Sequence, residues 1–149
     1  MHFRDYCDRM IRYEGGSYEW LKIPRHQCDN PRCHKVHRML PDFLVPYKHY
    51  TEDIICGVLD ETVRPTDADS EDYPSEQTML RWHHWLVKNQ LNIDGHLKSI
   101  AYRELGFSMQ LLKSGVSLLT TLRSSIPDGW LRSVIRYIYN SGNSLLVYY

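Results

Sequence analysis

The chain has 149 residues, 42% hydrophobic and 24% charged, the balance of a globular protein with a sizeable core and one domain, or one domain with a small appendage. Eighteen Lys and Arg cancel eighteen Asp and Glu, and the pI is about 7.1, so a uniformly basic coat for nucleic acid is excluded. No run of about 18 apolar residues occurs, which argues against a transmembrane helix.

The opening Met1-His2-Phe3-Arg4-Asp5-Tyr6 has no apolar leader segment, so the expected location is the cytoplasm. There, four cysteines at unequal spacing read as thiols or metal ligands rather than as a disulfide framework. Gly15-Gly16 is a turn, and the strand after it, Tyr18 to Ile23, stops at Pro24. Cys28-Asp29-Asn30-Pro31-Arg32-Cys33-His34-Lys35-Val36-His37 then gathers two cysteines and two histidines around a turn-forming Asp-Asn-Pro. A tight turn that aims two thiolates the same way is how a zinc knuckle begins. A second strand over 35–40 would pair with the first and leave the ligands at a hairpin tip. Cys28, Cys33 and His37 are the expected zinc ligands, with Cys7 as the fourth and His26 or His34 as substitutes. A hairpin this small has little core, and a bound metal would supply folding energy. Pro41 and Pro46 bracket an extended or tightly turned connector rather than a helix.

Thr51 is a candidate N-cap, with Glu52 and Asp53 in the first turn of a helix that runs to Val63. Residues 64–74 form an acidic, Pro-bounded loop. A second helix is expected from Ser75 to about Asn89, with Met79, Trp82, Trp85 and Leu86 buried and Gln77, Arg81, His84 and Lys88 on the opposite stripe. Helices over 95–105, 108–124, with Met109, Leu112, Val116, Leu119 and Leu122 inside, and 129–139 complete the chain before an apolar tail, 145–149. The four Trp and eleven Tyr fall mostly at apolar-face positions, which favours core packing over stacking platforms.

Charge is segregated along the chain. Residues 1–50 carry nine Lys/Arg against six Asp/Glu (+3), residues 51–76 one against nine (−8), and residues 77–149 eight against three (+5). Arg81 and Lys88 suit phosphates, while Gln77, Thr78 and His84 suit base edges or a phosphate at a helix start. Arg25, Arg32, Lys35 and Arg38 around the knuckle suit a backbone clamp. No nucleophile elbow, Walker loop, dinucleotide fingerprint or HExxH is present, and the carboxylates cluster in the acidic loop, so catalysis is not expected.

The run Ile23-Pro24-Arg25-His26-Gln27-Cys28, then Cys33, then His37 through Tyr50 resembles a short bacterial family of unknown function with an I-x-R-x-x-C…C-x-x-x-H-x-x-L-P-D-x-x-V-P-Y segment. Its downstream segment is similar to Ser75 through Trp82. The pairing resembles the zinc-ribbon and helix-turn-helix front end of insertion-sequence transposases. The resemblance implies that Cys28, Cys33 and His37 are half of a ribbon and that Gln77, Thr78 and Arg81 face DNA. Relatives present a first Cys-Pro-x-Cys-like knuckle, where only Cys7 stands here, and residues 64–74 separate helices that a tight motif would join directly. A transposase catalytic domain has no room in the chain.

The expected fold is therefore mainly α (α+β): a small β-hairpin zinc-knuckle-like module over 1–50, then about five helices with a helix-turn-helix-like pair over 51–149. The expected function is a non-catalytic DNA-binding accessory protein of a mobile genetic element, with zinc as cofactor and double-stranded DNA as partner. The alternative is an interaction module that docks a transposase or a second copy without touching DNA. No membrane is expected as partner.

Overall fold

The computed structural model describes residues 1–67, 74–104, 106 and 108–146. The centre of the acidic loop, Leu105 at the end of an expected helix face, and the tail from 147, with Tyr148 and Tyr149, lie outside the described residues.

The chain opens with a three-stranded antiparallel sheet in the order β1 (His2–Arg12), β2 (Tyr18–Gln27), β3 (Val36–Arg38). A pairing across the knuckle is present as β2 with β3, Gln27 opposite Val36 and His26 opposite His37, but it is made by residues beyond the expected end of the strand, because β2 runs through Pro24. The long partner of β2 is β1, which the sequence reading did not foresee. Arg4, Asp5, Asp8, Arg9 and Arg12 conceal its two-residue period, and only the register makes sense of it: Cys7 faces Ile23, Arg9 faces Leu21 and Ile11 faces Glu19. Gly15 and Gly16 close the hairpin with φ of 80° and 72°, a region open to glycine without a steric penalty. On the inner sheet face Ile11, Ile23 and Leu44 are buried, packed by Cys7, Tyr13, Leu21, Leu40 and Phe43. The proline-bracketed connector thus acts as the lid of a small core.

Among the described residues five helices follow: α1 (Glu52–Leu59), α2 (Glu76–Glu104), α3 (Met109–Lys113), α4 (Leu118–Ser125) and α5 (Trp130–Asn140). Their boundaries differ from expectation in three places, the first being α1, which ends at Leu59 rather than at Val63. The segments expected as separate helices over 75–89 and 95–105 are one, α2, which runs through Gly95. Ile93, Leu97, Ile100 and Ala101 continue the buried line of Met79, Trp82 and Trp85. Burial of those side chains outweighs the roughly 1 kcal/mol a helical glycine costs. The single helix expected over 108–124 is two, because Ser117 caps a new start by accepting from the Thr120 N–H (3.2 Å), while Asp94 accepts from the Leu119 N–H (2.8 Å) and the Ser117 hydroxyl (3.2 Å). Met109, Leu112 and Val116, expected inside, are exposed, and only Leu119 of that series is buried.

The larger core joins α1, α2, α4 and α5 around Ile55, Val58, Met79, Trp82, Trp130 and Val134. Thr51 has the extended backbone of an N-cap, but its side chain makes no capping bond. Glu52 stands with Asp53 in the first turn of α1 as expected, but it is buried and also caps α5: its carboxylate accepts from the Arg132 N–H (3.0 Å) and the Arg132 guanidinium (3.3 Å). Sheet and helices are stitched together by residues 45–51. The Arg12 N–H donates to the His49 carbonyl (2.8 Å), the Thr51 N–H donates to the Arg12 carbonyl (3.2 Å), and Tyr50 packs edge-on against Trp82 at 5.4 Å. Residues 60–75 separate α1 from α2, a connection longer than the three- or four-residue turn of a compact helix-turn-helix.

Candidate functional site

Asn30 builds the knuckle. Its side-chain oxygen accepts from the Arg32 N–H (2.9 Å), and its carbonyl accepts from the N–H groups of Cys33 (2.9 Å) and His34 (3.3 Å). His34 has φ 48°, which reverses the chain, and the Cys28 N–H closes onto the Lys35 carbonyl (2.9 Å). The turn brings the two thiols together. The Lys35 backbone N–H donates to the Cys33 sulfur and the Cys28 side chain hydrogen-bonds it, which holds the Cys33 thiol below its ordinary range against the opposing effect of burial. His26 and His37 are a directly opposed cross-strand pair, so both imidazoles sit on one sheet face, two residues from Cys28 and from Lys35. The Nδ1 of His26 is buried with no partner among the described residues.

Cys7 does not join them. It lies opposite Ile23, five residues before Cys28 on β2, which is about 16 Å along a strand. Its side chain packs on the small core. Among the described residues no group of three or more His, Cys, Asp or Glu is gathered closely enough to hold a metal ion. Among the described residues the thiols of Cys28 and Cys33 are therefore a pair without a third ligand at bonding distance, with His26 and His37 on the adjoining strands and Cys7 set apart.

The expected DNA-facing stripe on α2 is at the surface. Gln77, Arg81, His84 and Lys88 are exposed, and Thr78 is half-buried with its hydroxyl 3.1 Å from that of Ser75. The helix is anchored from behind by Met79, Trp82, Trp85 and Ile93. Alongside the polar stripe, however, Leu80, Val87 and Leu91 are also exposed, Leu91 to 86%. Around the knuckle Arg32, Lys35 and Arg38 are exposed. Arg25 is not available as a clamp: its guanidinium grips Asp5 through both nitrogens, with Nε 2.6 Å from Oδ1. That contact, first through the hydrogen bond from Arg25, holds the Asp5 carboxyl below its usual range.

A cleft of about 300 Å³ lies between the end of α1, the middle of α2 and α4, lined by Asp60, His83, Gln90 and Arg123 among others. Its charged groups are engaged with one another. Asp60 accepts from the Arg123 Nε (3.0 Å), the Trp130 indole N–H (2.8 Å) and the Cys56 thiol (3.3 Å). Burial opposes its ionisation, but these three donors outweigh it and hold its pKa below the usual carboxylate range.

The sequence reading missed the outer sheet face. Trp82, Trp85 and Trp130 are core residues as expected, each no more than 4% exposed, whereas Trp20 is 64% exposed. Tyr18, Tyr6 and Phe3 are also exposed there. The signal was present: Lys22 shares the two-residue phase of Tyr18 and Trp20, while Leu21 and Ile23 hold the other.

No curated protein and no solved structure matches the chain. A family model described as a domain of unknown function (DUF6431) matches residues 1–82, which take in the sheet, the knuckle, α1 and the first turns of α2. The sheet, its thiol turn and the start of the basic helix therefore fall within one sequence unit, and the chain belongs to the DUF6431 family.

Proposed function

We propose that this protein is a non-catalytic, double-stranded DNA-binding accessory protein of a mobile genetic element, reading DNA with the outer stripe of α2. The observation that carries the reading is the exposure of Gln77, Arg81, His84 and Lys88 on one face of a helix anchored by tryptophans behind it. Arg81 and Lys88 supply cations for phosphates, Gln77 and His84 supply groups for base edges, and Arg32, Lys35 and Arg38 supply a second set of cations at the knuckle. The transposase-like pairing of knuckle and helix favours the same assignment, with α1 and α2 as a loosened helix-turn-helix and the cytoplasm as its place of action. The test is binding to mixed-sequence duplex DNA over a salt series. Arg81→Ala combined with Lys88→Ala lowers the affinity and flattens the salt slope by about 2. An unchanged slope removes α2 as the reader.

Zinc enters this reading as an ion held by Cys28 and Cys33, with His37 and His26 completing the set in place of Cys7. The meeting of the two thiols and the orphaned imidazole nitrogen support it. Purification without added metal followed by elemental analysis checks it: the expected result is about one zinc per chain, lost in Cys28→Ser and kept in Cys7→Ser.

A second reading rests on Leu80, Val87 and Leu91. Their exposure favours an interaction module in which the α2 surface docks a transposase or a second copy. Size exclusion with and without duplex DNA separates the two readings, because a stable dimer indifferent to DNA supports the second.

A further inference from the structure

We infer that the outer face of the β1–β2 hairpin is a stacking surface for single-stranded nucleic acid, separate from the duplex-reading stripe of α2. The connector over 40–44 covers the inner face of the sheet and leaves this one to solvent. Trp20 and Tyr18 project from β2, Tyr6 from β1, and all three are more than half exposed. Phe3, beyond a bulge that returns it to the same side, stacks tilted on Tyr6 at 5.0 Å. Four rings held open to water on a rigid antiparallel scaffold are a large apolar exposure for a face this small.

The charge of the face points to a nucleic acid rather than to a second protein. Lys22 lies in phase with Trp20, and Arg12, whose guanidinium lies 5.9 Å over the Tyr50 ring, lies opposite Tyr18. Neither forms an ion pair among the described residues. The carboxylates of the module are largely engaged: Asp5 with Arg25, Asp29 with His2 at 2.6 Å, and Glu19 with the Tyr13 hydroxyl. Asp8 alone stands on this face, directly opposite Lys22. An apolar protein partner would bury Lys22 without an ion pair, a cost a phosphate backbone removes. Exposed rings flanked by cations are the elements of a stacking platform, and only unpaired bases offer their faces to it. From Tyr18 to the end of β2 the face is long enough for about four nucleotides, the short end of known platforms. Arg32 and Lys35 at the knuckle extend the positive track beyond it.

The fluorescence of the intact chain tests this directly, because the other three tryptophans are buried and Trp20 is the one a ligand on this face would touch. Titration with oligothymidylate of about ten nucleotides quenches the exposed tryptophan emission, and duplex DNA of the same length does so less. In anisotropy with a labelled strand, Trp20→Ala weakens binding about tenfold, and Trp20→Phe restores most of it. Arg81→Ala with Lys88→Ala leaves the single-strand quench intact while it weakens duplex binding, so the two surfaces fail independently. Trp20 is exposed, so far-UV circular dichroism of Trp20→Ala should match the parent. A flat titration, equal affinity in Trp20→Ala, or a dimer that Trp20→Ala dissociates without any oligonucleotide overturns the assignment.

Discussion

Cys33 and Cys56 carry the same thiol and meet opposite surroundings. Cys33 sits in a half-exposed turn where the Lys35 N–H and the Cys28 side chain favour its thiolate. Cys56 lies in α1 against the larger core, where burial first, then the hydrogen bond to Asp60 and the negative charges of Asp60 and Glu52, push its pKa up to about 12. The thiolate is the reactive species, so a disulfide reagent at neutral pH modifies Cys33 in a fast phase and Cys56 only after unfolding. Stopped-flow thiol titration of the wild type against Cys33→Ser checks it, and loss of the fast phase in that variant is the expected result. Metal bound at the thiol pair would suppress the same phase, and a chelator would restore it. At this scale the sequence was a good guide to chemical type and a poor guide to partners. The cysteine spacing announced the knuckle, but nothing in it showed that Asp5 would claim Arg25 or that Cys7 would turn toward Leu44.

At the scale of elements, apolar periodicity located the helices and local breakers misplaced their ends. A break was expected between Asn89 and a new helix starting at Gly95, and α2 passes through because the buried line on either side stays in phase. A Cβ built on Gly95 meets nothing within 4 Å. Gly95→Ala should therefore stabilise the protein by about 0.5–1 kcal/mol, seen as a rise in the thermal midpoint with no change in binding. A destabilised variant would mean that α2 is bent or interrupted there. The opposite error occurred at 114–117, where Ser117 and Asp94 start α4 afresh by hydrogen bonds, which apolar spacing does not report. The strand β1 was hidden for a third reason: charged residues stand in both of its phases, Asp5 and Arg9 with the inner residues and Asp8 and Arg12 with the outer ones, so the alternation is blurred, and the strand is recognisable only through the partner it pairs with.

Across the whole molecule, α1 is the part that the C-terminal helices hold at both ends. Glu52 at its start caps α5, and Asp60 just past its end ties Arg123 of α4 and Trp130 of α5. The two carboxylates have opposite pH signs. Asp60 ionises below its unfolded value of 3.8, so its stabilisation is present above that value and is lost as pH falls through the lower folded one. Glu52 is raised from 4.5 chiefly by burial, so its contribution weakens as pH climbs from 4.5 through the higher folded value. Asp60→Ala leaves the Trp130 N–H and Arg123 without their acceptor. It should cost about 2 kcal/mol at neutral pH and remove part of the stability loss below pH 3.8, measured by urea unfolding across pH. Equal losses at neutral and acid pH would show that the carboxylate charge is not what holds α1.

The sequence by itself determined the succession of a thiol turn, a proline-bracketed connector and amphipathic helices, because cysteine spacing, proline geometry and apolar period act over a few neighbouring residues. It also determined that a polar, basic stripe would lie opposite the tryptophans of α2. Tertiary structure decided which side chains remain available for function: it paired β1 with β2, committed Arg25 to Asp5 and Cys7 to the small core, and left Trp20 and Tyr18 facing water. Those outcomes depend on strand register and on contacts between residues distant in the chain. A one-residue change of phase exchanges the faces of a strand, and only the packed whole selects the phase.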